Sequence, residues 1–226
     1  MPTNGLNKVK IEKYFKLAVE DLYKNDLYLL ESGHELHEQA ISHRLAVYLE
    51  KYFKRLQYYK ANELSVDCEY NKNGRNEKKV YQNCRDCSRE NCFIKRYNSP
   101  VVAKVRNRNI TFANAQEFVA SYYNESRTQG KASRPDILVH KRGNNSPYNT
   151  LIIEIKKNSN QEENDKVIDK IKLSYFTCPH CEYKYQIGFY IEYNQNQAKI
   201  IKFEEGCEIT IFQFNLSTLE WETNND

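Results

Sequence analysis

Three side chains combine the charges and spacing needed to hold a divalent cation: Asp136, Glu154 and Lys156. Two apolar runs carry them, Ile137–His140 and Thr150–Lys156, joined by a loop containing Gly143-Asn144-Asn145 and Pro147. Asp136 and Glu154 are equidistant from Asn145. A β-hairpin centred there sets the two carboxylates opposite each other, roughly 5 Å apart at Cβ. Lys156 is two residues beyond Glu154 and shares its face of the strand, while Leu151, Ile153 and Ile155 point the other way. A bulge would shift this register. Two carboxylates at that separation repel by about 3 kcal/mol at an effective dielectric of about 20. A divalent cation offsets the repulsion directly, and oxygen ligands suit Mg²⁺. With a lysine beside them to hold a water, they supply what phosphodiester hydrolysis needs: a Lewis acid, a positioned nucleophile and charge compensation. The bland alternative is a salt bridge from Lys156 to either carboxylate on a sheet face, nearly neutral in energy.

The elements that must position these groups can be read from periodicity. Residues 8–31 read as a helix, with Ile11, Phe15, Ala18, Val19, Leu22 and Leu29 or Leu30 at helical spacing. Ser32-Gly33 break it. A second helix runs from about Glu35 to Phe53 on a stripe of Ile41, Leu45, Tyr48 and Tyr52. Residues 63–70 alternate as a strand: Leu64, Val66, Cys68 and Tyr70 face one way, Glu63, Ser65, Asp67 and Glu69 the other. Residues 75–133 form a basic, cysteine-bearing insertion with a short helix near Asn114–Arg127. Ser159-Asn-Gln-Glu162 can form a capping box opening a helix to about Phe176, with Val167, Ile168, Ile171 and Tyr175 on one side. Strands follow at Tyr183–Tyr193, Ala198–Phe203 and Glu208–Phe214. The expected architecture is a single α/β (α+β) domain over 1–226, a central mixed β-sheet flanked by helices.

Two further carboxylates are candidates for the same site. Glu38 sits three residues before Ile41 and continues the buried stripe of the second helix, where a carboxylate needs a partner. It can equally sit exposed near a helix start, which favours acids. Glu69 ends a core strand on its polar face, where it touches the cleft or faces solvent. His43 reads as a helix-surface residue.

Asp136 follows Pro135, and Glu154-Ile155-Lys156 lies on the next strand, ahead of a helix. This arrangement resembles the PD-(D/E)xK nuclease superfamily, with its restriction-endonuclease-like and Holliday-junction-resolvase-like folds. The resemblance extends back to Glu38 and covers most of residues 10–203 outside the insertion. It implies that Asp136 and Glu154 bind catalytic Mg²⁺ (or Mn²⁺), that the backbone carbonyl of Ile155 completes the metal shell, that Lys156 orients the attacking water, and that Glu38 faces the metal. It implies DNA cleavage, a role in bacterial or phage defence or DNA processing, and pairing as a homodimer to cut both strands. An RNase using the same site and a non-catalytic nucleic-acid-binding module of the same fold are the alternatives.

The cysteines suggest a second metal. Cys84-x2-Cys87-x4-Cys92 and Cys178-x2-Cys181 are knuckle-like. Cys84, Cys87, Cys178 and Cys181 have the spacing for a structural Zn²⁺ that pins the insertion to the core, with Cys92 as alternative ligand. The four-cysteine iron–sulfur clusters of some superfamily members fit this spacing less well. Free thiols and a zinc-dependent interaction protein are the rival readings. Cys68 and Cys207 read as small core residues.

Charge points to a phosphate-rich partner. The net charge of +4 is uneven: residues 71–142 carry 16 Lys/Arg against 6 Asp/Glu. Lys78, Lys79, Lys95, Arg96, Lys104, Arg106 and Arg108, interleaved with aromatics such as Tyr97, are the candidate nucleic-acid contacts, gripping phosphates without reading sequence. A solvated basic surface is the bland alternative. No apolar run reaches the roughly 18 residues of a membrane span. Met1–Lys10 lacks the apolar centre of a signal peptide, so the expectation is a cytoplasmic protein with reduced thiols.

Overall fold

The computed structural model describes residues 8–30, 38–69, 72–73, 76–77, 79–80, 90–105, 108–122, 131–143, 148–157 and 163–224. Helix α1 (Lys8–Asn25) buries Ile11, Phe15, Ala18, Val19 and Leu22, the stripe its sequence predicts. Helix α2 (Glu38–Phe53) buries Ile41, Leu45, Tyr48 and Tyr52. The first helix stops short of position 31. Asp26 leaves it where its carboxylate is claimed by α2, from the Tyr48 hydroxyl at 2.5 Å and Arg44 Nε at 3.0 Å. A 3₁₀ turn, Leu27–Leu30, then folds Leu29 and Leu30 into the core. Helix α3 (Gln57–Ala61) leads into strand β1 (Leu64–Cys68).

Between β1 and β8 lie β2 (Lys72–Asn73) paired with β3 (Asn76–Glu77), β4 (Lys79–Val80) paired with β7 (Lys131–Ala132), α4 (Phe93–Arg96), a ribbon of β5 (Val101–Val105) and β6 (Arg108–Phe112), and α5 (Ala115–Tyr122). The rest of the chain gives β8 (Ile137–Lys141), β9 (Leu151–Lys157), α6 (Glu163–Thr177), β10 (Ile187–Tyr193), β11 (Gln197–Glu204), β12 (Cys207–Asn215) and β13 (Glu220–Asn224). The predicted capping box and the residues beyond Tyr122 in the predicted insertion helix lie outside the described residues.

One seven-stranded sheet runs β1-β8-β9-β10-β11-β12-β13. Its single parallel pair, β9–β10, is connected through α6; every other neighbouring pair is antiparallel. A parallel pair requires such a crossover, and the helix covers one face. The sheet therefore separates two cores. On one side α1 and α2 pack over Ile137, Val139, Leu151, Ile153 and Ile155. On the other, α6 and the insertion pack over Leu138, Ile152, Tyr190 and Phe203. The stretch from α4 to α5 is thus part of the second core: Phe93, Val101 and Phe118 are buried with Ile171 and Phe176 of α6. The helix lies close to the strand after it. A Cβ added at Gly188 would stand 3.0 Å from the Thr177 methyl and 3.3 Å from Leu173 Cδ2.

Two further readings change. The strand predicted from Tyr183 begins at Ile187. Tyr183 and Tyr185 alternate like strand residues but cap the end of α6, with the Tyr183 ring centroid 4.8 Å from that of Phe176 and the Tyr185 amide bonded to the Phe176 carbonyl. An edge strand that the sequence reading did not foresee, β13, pairs with β12, and Trp221 covers Phe214. Among the described residues no helix is long and apolar enough to cross a membrane.

Phe15 is fully buried and stacks on Phe189 with ring centroids 3.8 Å apart, joining α1 to the central strand β10. Phe15→Ala should lower the unfolding free energy by about 3–5 kcal/mol. A denaturant titration checks this, and a loss under about 1 kcal/mol would mean that α1 does not hold the first core together.

Candidate active site

The β8–β9 hairpin has the register that the midpoint at Asn145 predicts. Ile137 pairs with Ile153, Leu138 with Ile152 and Val139 with Leu151. One more step along that register puts Asp136 opposite Glu154. Here the ladder ends, and the Asp136 side chain takes its place: Oδ2 accepts the Ile155 N–H at 2.6 Å. The Asp136 carbonyl accepts the Glu69 N–H at 3.0 Å, which fixes this corner to β1.

Glu154 points to the α6 side of the sheet, on the face shared by Ile152, next to Tyr190 of β10. It is 3 % exposed, and its Oε1 has no hydrogen-bond partner. A buried carboxylate oxygen without a donor is costly. Burial first, then the negative charges of Asp169 and Asp136, push its carboxyl well above the usual range against the pull of Lys172 and Lys156. Asp136 is pushed up to about 7, chiefly by burial, with Asp169 and Glu38 adding to it and the Ile155 N–H and Lys156 opposing.

Lys156 joins the two layers across the sheet. Its Nζ lies 3.4 Å from Glu38 Oε2 and 3.3 Å from Asp169 Oδ2. Burial would lower this ammonium, but Asp169, Glu38 and Asp136 outweigh burial and hold it well above the usual lysine range. It is therefore a fixed cation and not a free amine. Glu38, at the start of α2, uses its other oxygen to accept the Lys157 N–H at 3.1 Å. The sequence candidates Asp136, Glu154, Lys156 and Glu38 are thus brought together at one end of β9.

Asp169 belongs to this cluster and was missed. It is buried on α6, with Oδ1 2.6 Å from Lys172 Nζ. Its neighbours in sequence read as one helical stripe. What marked it was an acid between Ile168 and Ile171, a signal too common to use. Glu69 lies at the rim: it is exposed, and its carboxylate accepts from Gln39 Nε2 at 2.6 Å. A second buried acid, Asp67, was read as a polar-face strand residue. Arg142 grips both its oxygens and His140 Nε2 lies 3.1 Å away, and these contacts, Arg142 first, overcome burial to hold the carboxyl well below the usual range.

Hard oxygen donors and an orphaned buried carboxylate oxygen are the donor set a Mg²⁺ or Mn²⁺ ion takes. Asp136 and Glu154 supply it, with Glu38 and Asp169 beside them. In the present side-chain positions Asp136 serves the Ile155 N–H and Glu38 serves Lys156. Among the described residues no three His, Cys, Asp or Glu side chains converge as a ready-made metal group. The donor types suit such an ion, but the side chains as placed do not converge on one.

The cysteine candidates divide. Cys84 and Cys87 lie outside the described residues. Cys178 and Cys181 are buried in the turn after α6, and the Cys181 N–H donates to the Cys178 carbonyl at 3.2 Å. Cys92 approaches the same place, its Sγ 3.4 Å from Ser174 Oγ. Ser174 Oγ in turn donates to the carbonyl of Gly206, whose added Cβ would stand 3.5 Å from Cys178 Cβ. Of the basic candidates, Lys78 and Arg106 lie outside the described residues, and Lys79 is described by its backbone alone, in β4. Lys95 and Arg96 end α4, and Lys104 and Arg108 are exposed on the β5–β6 ribbon.

Raised carboxyls make the metal-free protein sensitive to pH. Asp136 binds its proton more tightly folded than unfolded, so its stabilisation is complete below about pH 4 and is lost as pH rises towards 7. Metal-free Asp136→Asn should melt with a flatter dependence between pH 4 and 7 than the parent protein. Glu154→Gln should raise metal-free stability by about 0.5–2 kcal/mol. Thermal melts with EDTA read both, and a clear loss of stability in Glu154→Gln would make the cluster a structural salt bridge. Comparison with protein-family models, curated proteins and solved structures gives no match.

Proposed function

We propose that the chain is a metal-dependent endonuclease that hydrolyses phosphodiester bonds in DNA, with a restriction-endonuclease-like core and a basic, cysteine-bearing insertion. The observation that carries this reading is Glu154, a carboxylate buried in the sheet with one oxygen unpartnered, next to Asp136, Asp169 and Lys156. A purely structural ion pair satisfies both oxygens; a site kept for a ligand leaves one open.

Asp136, Glu154 and the Ile155 carbonyl would hold Mg²⁺ or Mn²⁺. That ion, when bound, would supply Lewis-acid polarisation of the phosphoryl group and a more acidic water. Lys156 Nζ, kept charged by Glu38 and Asp169, orients the attacking water and offsets the charge that develops on the phosphate oxygens. The water oxygen bonds to phosphorus, its proton passes to Glu38 Oε2, the P–O bond to the leaving oxygen breaks, and that oxygen takes a proton from solvent. Arg108, Lys95 and Arg96 carry the phosphate grip, and Lys104 is a further basic contact to the nucleic acid. A homodimer would place two such sites on the two strands.

A non-catalytic nucleic-acid module is the second reading. It is favoured by the Asp136 bond to the Ile155 N–H, which serves the backbone well without any metal. Purified protein incubated with plasmid, linear duplex, single strand and RNA in Mg²⁺, Mn²⁺ or EDTA separates the readings. Metal-dependent cleavage that falls by about 10²–10³-fold in Glu154→Ala supports the nuclease. Cleavage that survives this substitution places the chemistry elsewhere, and binding with no cleavage in any metal supports the module.

We also propose a structural Zn²⁺ on Cys84, Cys87, Cys178 and Cys181, with Cys92 as substitute ligand, holding the insertion against α6. Metal analysis should find about one equivalent of zinc in the parent protein and its loss in a Cys178→Ser, Cys181→Ser variant. Less than about 0.2 equivalents of zinc in the parent protein would end this idea, and iron in its place would turn it to an iron–sulfur cluster.

A further inference from the structure

The β5–β6 ribbon has a base and a free end of different character. At the base Val101, Ala103 and Phe112 are buried, and the Phe112 ring meets Phe118 of α5 edge-on with centroids 5.3 Å apart. The Val102 N–H donates to Asn164 Oδ1 in the first turn of α6 at 3.2 Å. Beyond Ala103 the ribbon leaves the body: Lys104, Arg108, Asn109, Ile110 and Thr111 are all exposed. Directly paired residues share a face. Lys104 pairs with Asn109 and Val102 with Thr111, so Lys104, Asn109 and Thr111 stand on one face; Arg108 and Ile110 stand on the other.

We propose that this ribbon inserts into the major groove of duplex DNA, with the Lys104–Asn109–Thr111 face towards the base edges and Arg108 on a phosphate. The inference rests on the nuclease reading for its substrate and names the form that substrate takes. Two strands about 4.8 Å apart with their side chains make a ribbon about 10 Å across. That fits a major groove about 12 Å wide and not a minor groove of about 6 Å. Lysine, asparagine and threonine are side chains that read base edges there. The deep, narrow major groove of duplex RNA excludes a ribbon of this width. Single-strand binders stack bases on aromatic side chains, and the five exposed side chains include none. The anchor also sets distance. Asn164 lies five residues before Asp169, about 7.5 Å along the α6 axis, so the base of the ribbon is anchored on the helix that carries a member of the carboxylate cluster.

The test is binding, with Ca²⁺ replacing Mg²⁺ so that turnover does not intervene. Fluorescence anisotropy compares a short labelled DNA duplex, the same duplex with glucosylated hydroxymethylcytosine filling its major groove, a single strand and an RNA duplex. The parent protein should prefer the open-groove duplex by about tenfold or more over the other three. The Lys104→Ala, Asn109→Ala variant changes exposed residues only and should keep its melting temperature while losing the preference. Equal affinity for open and filled grooves overturns the proposal, and so does a variant that binds as the parent does. Cleavage in Mg²⁺ is scored apart. Cutting without groove preference leaves the nuclease and removes the ribbon's role, whereas groove preference without cutting leaves the ribbon and removes the nuclease.

Discussion

The first five residues of strand β9, Leu151–Ile155, run through the middle of the sheet buried and apolar except at Glu154, and that exception constrains everything around it. A carboxylate at the junction of two hydrophobic layers must be neutral, paired or given a cation. Here it is surrounded by Asp136 and Asp169 and by the ammonium groups of Lys156 and Lys172, an unequal contest that leaves Glu154 above the normal carboxyl range and one of its oxygens without a donor. The surrounding packing is strong enough to hold a group that the local energetics oppose.

The rest of the architecture follows from where this group sits. Lys156 is two residues along the same strand, and at this strand end its side chain reaches a helix from each layer: Glu38 from α2 and Asp169 from α6. One ion-pair network therefore ties together layers whose hydrophobic cores are separated by the sheet. The parallel β9–β10 pair makes this possible. It demands a crossover, the crossover is α6, which carries Asp169, and Gly188 lets the end of that helix lie close to β10 at Leu173 and Thr177. The insertion then rests on α6, which brings the basic ribbon to the same side of the sheet as Glu154.

Groups related by short sequence separation were legible. The α1 and α2 stripes needed only the helical repeat. The pairing of Asp136 with Glu154 needed only the midpoint of the hairpin loop, because antiparallel register is a matter of equal counting from the turn. Tyr183 and Tyr185 show the limit of such counting: alternation describes any chain that is buried every second residue, including one that wraps a helix end. Asp169 shows another, because an acid in an amphipathic helix is ordinary until the helix is known to cross the sheet above a second carboxylate.

What the sequence alone determined is local: the longer helices and most strands of the main sheet, which of their faces are apolar, that Asp136, Glu154 and Lys156 share a hairpin, and that the middle of the chain is basic. These depend on periodicity and on counting across one loop. What the tertiary structure decided is which distant groups meet: Glu38 and Asp169 at Lys156, Glu69 turned to Gln39 at the rim, Asp67 gripped by Arg142, and the ribbon anchored to α6. Burial and charge coupling are properties of assembled layers, so the proton affinity of Asp136 and Glu154 exists only once both cores have closed around the sheet.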